Sequence, residues 1–249
     1  MKLKMFLKPE SIAVIGASRD PTKVGHRIFK NLVDFGFQGG LYPINPKADE
    51  ILGFKCYGNI TEVPDNVDLA VIAVPARIVP MIAEQCGLKN VKGIVVISAG
   101  FSEIGREGSH LEKKLLAVCR KYGVRMQGPN CLGLINTQSH MNASFAATQP
   151  ISGNIAFVSQ SGALGSTILN WALQNDVGFT SFISLGNEAD LSAADFLEAL
   201  AEDEQTKAIG LYIEGVKNGR RFLDVARRVT KKKPIVALKS GTTLSLIHI

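Results

Sequence analysis

An α/β architecture with parallel sheets follows from two features of the sequence. Short, uninterrupted apolar runs rich in Val, Ile and Ala alternate with helix-period segments over most of the 249 residues. The rhythm breaks once, at 128–153, and then restarts. Runs with no in–out alternation are strands buried on both faces, which is the pattern of a parallel sheet covered by helices. The break is long and rich in Asn, Ser, Thr and Pro, so it marks a junction between two βαβ series.

The elements follow in order. SIAVIG (11–16) is a strand, HRIFKNLVDFG (26–36) a helix stopped by glycine, and GLYPIN (40–45) a strand followed by a turn-rich loop. DLAVIAV (68–74) is a strand closed by Pro75, and RIVPMIAEQCG (77–87) a helix with proline in its first turn, where a missing N–H costs nothing. GIVVISAG (93–100), HLEKKLLAVCRKYG (110–123) and VRMQG (124–128) read as strand, helix and strand. In the second series NIAFVS, FTSFISLG, KAIGLYIEG and PIVALKSG are strands, with helices over ALGSTILNWALQNDVG, SAADFLEALAED and GRRFLDVARRVTKK between them. The expected boundaries are a first domain over 1–140, a linker over 141–152, a second domain over 153–243 and a tail over 244–249. Four strands and an apolar scrap, LSLIHI, leave the second domain incomplete or its edge bare, and a bare parallel edge favours truncation.

Composition narrows the function. Hydrophobic residues make up 46% and charged residues 20%, so the chain can bury real cores. The net charge of +6 admits an anionic ligand, but the basic residues are too dispersed for nucleic acid. The densest basic stretch, 219–233, closes a helix, where cations suit the dipole. Four widely spaced cysteines and scattered histidines give no metal-ligand spacing; the free thiols fit a reducing cytoplasm, and no signal or membrane-spanning run is apparent.

Two turns carry candidate chemistry. IGASRDPTKVG (15–25) joins the first strand to the first helix, where doubly wound folds hold nucleotide phosphates. It lacks GxGxxG, and the next strand ends in INPK, with Lys47 where an NAD site wants a carboxylate. A ribose carrying a phosphate, as in CoA or NADP, fits; an ordinary turn with a surface lysine is the alternative. Val74, Pro75, Ser98, Ala99 and Gly100 end neighbouring strands with room for a flat ligand.

VSQSGALGS (158–166) is a serine-bearing bend from strand to helix. It lacks the leading glycine of a GxSxG nucleophile elbow, and no Walker lysine follows. An anion cradle of helix-start N–H groups and serine hydroxyls, or two serines merely capping a helix, remain.

Together IGASRDPTKVG, YPINPK, VISAGFSEIGREG, GVRMQGPNCLGLIN, IAFVSQSGALG, SLGNEADLSAADFLEALAED, LYIEG and KPIVALKSG resemble, in this order, the NDP-forming acyl-CoA synthetases, relatives of the succinyl-CoA synthetase α subunit. The resemblance implies a Rossmann-like CoA-binding domain followed by a flavodoxin-like ligase domain, incomplete here. It implies conversion of acyl-CoA, phosphate and NDP to acid, CoA and NTP through an acyl phosphate and a phosphohistidine. By position it assigns Gly16, Ala17 and Ser18 to CoA contact, Lys47 to its phosphates, and Val74, Pro75 and Ser98 to Gly100 to the CoA crevice. Ser159, Ser161 and Gly162 become the phosphate-binding helix start. Glu214 becomes the carboxylate that orients the histidine, with Asn130 and Cys131 beside the reacting groups. ADP or ATP with Mg belongs to an ATP-grasp partner module, and the complete protein is expected to be oligomeric. The family's SHTG-like histidine motif is not reached; His248, between two isoleucines, does not match it, so the chain alone is expected to bind CoA without turning over. The rival readings are a CoA-sensing regulatory module, as in acetyltransferases that carry an inactive copy of this assembly, and an NADP-type oxidoreductase, which gives no reason for SQSG.

Overall fold

The computed structural model describes residues 3–240; the SHTG-like position, Thr243, LSLIHI and His248 lie outside the described residues. After a short helix α1 (Lys4–Leu7), the first series runs β1 (Ser11–Ile15), α2 (Val24–Asp34), β2 (Gly40–Ile44), β3 (Glu50–Ile51), β4 (Phe54–Lys55), β5 (Leu69–Ile72), α3 (Val79–Leu88), β6 (Gly93–Val96), α4 (Arg106–Tyr122) and β7 (Arg125–Gln127). The second runs β8 (Gly133–Asn136), β9 (Met141–Ser144), β10 (Ser152–Ser159), α5 (Gly162–Gln174), β11 (Phe179–Ser184), α6 (Ala193–Ala201), β12 (Ala208–Ile213), α7 (Gly219–Val229) and β13 (Ile235–Lys239).

The first sheet is wholly parallel, in the order β2-β1-β5-β6-β7. Every residue of β1, β5 and β6 is buried, as their unbroken Val/Ile/Ala runs require. Outside β2, the loop read as turns holds the β3–β4 hairpin and a single parallel bridge from Ile44 to Tyr57. That bridge stands where the third strand of a Rossmann sheet lies, which gives the domain its Rossmann-like order with one strand reduced to a contact.

The second sheet has six strands in the order β13-β12-β10-β11-β8-β9. Its four parallel strands, β11-β10-β12-β13, follow flavodoxin-like order, with the switch point at β10. The sheet is mixed rather than purely parallel, because β8 pairs antiparallel with β11 and β9 antiparallel with β8. These two strands lie in the stretch that reads as a junction. Their polar residues disguise them: Asn136, Thr137, Asn142 and Ser144 are buried, and each is paired. Asn136 donates to Ser181 Oγ and accepts the N–H groups of Gln138 and Ser139, and Thr137 donates to the Phe179 carbonyl. Asn142 donates to Gln149 and accepts from Ser144 Oγ. A buried hydroxyl or amide is tolerated only when so satisfied.

The two series share a core. Phe6, Ile12, Val14 and Phe29 lie in one apolar cluster with Leu134, Met141, Phe196 and Leu197. Asn31 of α2 donates to the carbonyls of Ser144 and Ala146. Between the sheets, residues 187–191 run along the end of β7: Asn187 N–H donates to the Pro129 carbonyl, Ala189 to Gly128 and Leu191 to Met126. Asp190 accepts from Arg125 at 2.9 and 3.2 Å and from the Met126 N–H at 2.8 Å. Gly186 enters this strap at φ +59°, and a Cβ there would lie 2.2 Å from the Pro129 carbonyl oxygen, so a side chain cannot be accommodated.

The basic stretch of α7 is partly spent on α6. Arg221 holds Asp195 at 2.8 and 3.1 Å, Arg228 holds Glu198 at 2.6 Å and Lys232 holds Glu202 at 2.8 Å. Burial pushes the Asp195 carboxyl up, but hydrogen bonds from Arg221 and Ser192 and the arginine charge outweigh it and bring it down to about 2. A folded-state value below the ordinary ~3.9 means that this group's contribution is complete above pH ~4 and is lost as pH falls toward 2. Asp195→Asn should therefore cost on the order of 1–2 kcal/mol at neutral pH, with the gap to the parent closing between pH ~4 and ~2 in urea titrations.

Candidate active site

The C-terminal ends of the parallel strands of both sheets open into one cleft of about 810 Å³. In open α/β sheets this is the edge where ligands sit. Val74, Pro75, Ser98 and Ala99 from β5 and β6 line one wall. The facing wall has Gln160 to Ala163 after β10, Gly186 and Asn187 after β11, and Glu214 after β12. Asn130 and Cys131 line the same cleft.

On the first wall the turn after β1 is rigidly built. Gly16 has φ +91°, and a Cβ would meet the Ala73 carbonyl oxygen at 2.4 Å, so backbone and strand end approach as only glycine permits. The Ala17 carbonyl accepts from Asn45 Nδ2, the Ser18 carbonyl from His26 Nδ1, and the Ser18 hydroxyl from the Asp20 N–H. Gly16, Ala17 and Ser18 thus frame the turn beside the cleft without forming its wall. Lys47 is exposed farther out, its N–H on Asn45 Oδ1, and Arg19 donates to its carbonyl at 3.3 Å. Ser98 is held by the Val74 carbonyl at 2.5 Å, and Gly100 lies behind the wall, donating to Glu103.

On the facing wall Ser161 caps α5, accepting from the Leu164 N–H at 3.3 Å. Gly162 and Ala163 begin the helix, and their N–H groups have no acceptor among the described residues. Ser159 departs from the expected anion contact: it is fully buried and outside the cleft wall. Its hydroxyl donates to the Ser161 carbonyl at 2.8 Å and accepts the Ser161 N–H at 3.1 Å, so it shapes the bend while Ser161 and Gly162 face the cleft. Glu214 is exposed to the cleft, and its carboxylate has no hydrogen-bond partner among the described residues. Asn130, at φ 58°, donates through its side chain to Asn187 Oδ1 at 3.3 Å. Glu103, the other carboxylate of the cleft, is pushed up by burial. Hydrogen bonds from Asn187 and from the N–H groups of Gly100 and Phe101 outweigh that and hold it below its usual range.

The arrangement offers an open helix start suited to an anion, an unpaired carboxylate and a crevice with room for a flat ligand. A CoA-binding domain family matches residues 10–137, and the succinyl-CoA ligase-like flavodoxin domain matches residues 152–246. The chain belongs to the CoA-binding domain family over its first half, joined to a succinyl-CoA ligase-like flavodoxin domain. It is 51% identical over 244 residues to the α subunit of Acetate--CoA ligase [ADP-forming] II from Pyrococcus furiosus, covering 98% of this chain and 53% of the relative. It is 52% identical to Acetate--CoA ligase [ADP-forming] I of Archaeoglobus fulgidus, covering 98% of this chain and 35% of that protein. The solved structure of the Ca. Korarchaeum cryptofilum dinucleotide forming Acetyl-coenzyme A synthetase 1 in complex with phosphate and ADP superposes with a TM-score of 0.94 at 44% identity, covering 97% of this chain and 52% of that one. The chain thus spans about half or less of the length of these relatives.

The structure brings Val74, Pro75, Ser98, Ala99, Asn130, Cys131, Ser161, Gly162 and Glu214 to one cleft and leaves Lys47 exposed outside its lining. The sequence reading missed Gln160, Asn187, Glu103 and Arg19. The signal for the first two was present, since both are polar residues inside the motifs SQSG and SLGNEAD. Cys131 is 4% exposed, and its thiol donates to the Val96 carbonyl at 3.4 Å. Burial pushes that thiol up to about 12, so it is neutral and no nucleophile at working pH. Cys119 is likewise raised to about 12, and Cys86 is raised further by burial. In the native chain at pH ~8, these three thiols should resist Ellman's reagent, while the denatured chain should release all four equivalents.

Proposed function

We propose that this chain is the CoA-binding and acyl-transfer part of an ADP-forming acid–CoA ligase, which interconverts acyl-CoA, phosphate and ADP with free acid, CoA and ATP. The observation that carries this reading is the cleft itself, where the crevice of a CoA-binding family domain meets the open start of α5 and the unpaired carboxylate of Glu214. The relatives at 45–52% identity are ADP-forming acid–CoA ligases, which favours this reading over a regulatory module.

CoA, as substrate, supplies the thiol that accepts or releases the acyl group. Its adenine end lies along the turn at Gly16 to Ser18, with the ribose phosphate near Lys47 and Arg19. Its thiol end runs past Pro75 and Ala99 to Asn130. The N–H groups of Gly162 and Ala163, with Ser161, hold the phosphoryl group transferred from acyl phosphate; fixed donors of this kind favour anions without reorganising. Glu214 accepts from one ring nitrogen of the phosphate-carrying histidine expected in the remainder of the protein. That fixes the tautomer and stabilises the charged ring. The second phosphoryl transfer, to ADP with Mg, belongs to an ATP-grasp module, and the complete protein assembles with it. Residues 1–140 and 153–243 serve as the CoA and ligase domains, except that β8 (133–136) lies within the first range but joins the second sheet together with β9.

The chain itself should bind CoA with a Kd below ~1 mM by calorimetry. Lys47→Ala should weaken CoA roughly five- to tenfold while leaving dephospho-CoA nearly unchanged, since only CoA carries the ribose phosphate. Absence of CoA binding at millimolar ligand would reject the assignment. In the full-length protein, Glu214→Gln should lower ADP-dependent acyl-CoA cleavage by roughly 10²-fold or more with little change in CoA affinity.

A further inference from the structure

Gln160 links the ends of β10 and β12. It follows β10, its own N–H donating to the Tyr212 carbonyl in β12. Its side-chain Oε1 accepts the N–H of Glu214 at 2.5 Å and of Gly215 at 2.9 Å. Its Nε2 donates to the Gly215 carbonyl at 2.7 Å. The side chain thus pairs with Gly215 in both directions, as a neighbouring backbone would, and adds a bond to the amide of Glu214.

The amide orientation follows from this network. Two backbone N–H groups require an oxygen acceptor, so the nitrogen must face the Gly215 carbonyl. Beyond β11, Glu188 is only 7% exposed and accepts the Ala193 N–H at 3.0 Å. Lys217 pins the same turn through the carbonyls of Asn187 and Glu188 at 2.8 and 3.0 Å. From β13, Lys239 donates to the Glu214 carbonyl at 2.9 Å. The backbone of Glu214 is therefore gripped on both its N–H and its carbonyl, while its carboxylate is left free for the cleft.

We infer that Gln160 is a positioning residue: its amide fixes the turn at Glu214 and Gly215 so that the Glu214 carboxylate faces the anion-binding start of α5. The inference rests on the reading of Glu214 as the carboxylate that orients the phosphate carrier. A displacement of about 1 Å at such a group is enough to cost roughly 10²-fold in rate. The CoA contacts lie on the opposite wall and do not depend on Gln160.

The test uses the full-length enzyme, as wild type and as Gln160→Ala and Gln160→Glu. The glutamate keeps the shape of the side chain but, ionised, cannot donate to the Gly215 carbonyl. Both variants should lose roughly 10- to 100-fold in kcat, with KM for acyl-CoA within about twofold of wild type. In the present chain, amide hydrogen exchange at Glu214 and Gly215 should quicken by roughly tenfold or more in Gln160→Ala. Unchanged kcat in both variants, a parallel rise in KM, or unchanged exchange at the two amides would overturn the inference. If wild type itself shows no turnover with acyl-CoA, phosphate and ADP, the functional reading fails first. If wild type turns over and the variants match it, only the role of Gln160 fails.

Discussion

The strap of residues 187–191 along the end of β7 is the contact on which the site depends. Three backbone hydrogen bonds, at Pro129, Gly128 and Met126, and the Asp190–Arg125 pair hold the second sheet's strand ends against those of the first. Without that register each sheet would still fold around its own strands, but the crevice at Val74 to Ala99 would not face Ser161 and Glu214. Arg125 remains partly exposed, so its ion pair is worth ~1 kcal/mol at most. The directional backbone bonds and the shared apolar cluster do most of the fixing, and they admit little sliding. Gly186 is the tightest point, because the strap passes so close to the Pro129 and Asn130 carbonyls that a methyl group cannot fit.

The parts of the fold that were legible in the sequence are those where one rule acts alone. The continuous apolar runs of β1, β5 and β6 read as buried parallel strands and are such strands. The hairpin β8–β9 was illegible, because its strands bury asparagine, threonine and serine. Their polarity says loop; only the tertiary partners, such as Ser181 for Asn136 and Phe179 for Thr137, make burial affordable. A sequence shows the cost of burying an amide but not the group that will meet it.

The candidate site divides in the same way. The bend at 158–166 and the strand-end residues could be found because helix starts and strand ends are local features. Gln160 stood in view inside SQSG, but its role was not legible there, since it depends on Glu214 and Gly215, more than fifty residues away, arriving within hydrogen-bond reach. Ser159 and Cys131 show the opposite error. Both stand at the right place in a motif, yet burial uses the serine inside the bend and keeps the thiol neutral.

The charge arrangement suits a ligand that is anionic at one end and reacts at the other. Arg19 and Lys47 meet on the exposed surface outside the cleft lining, while among the described residues the cleft wall holds no lysine or arginine. Its charged members are Glu103 and Glu214. A strongly charged triphosphate would be poorly held between two carboxylates with only one helix start to receive it. A single phosphoryl group is different: the free N–H groups of Gly162 and Ala163 can neutralise it locally, and the carboxylate opposite can act on a cationic ring rather than on the phosphate itself. Under the proposed function, a wall built this way would receive one phosphoryl group at a time, which suits chemistry in which that group is carried away from the cleft before it meets a nucleotide.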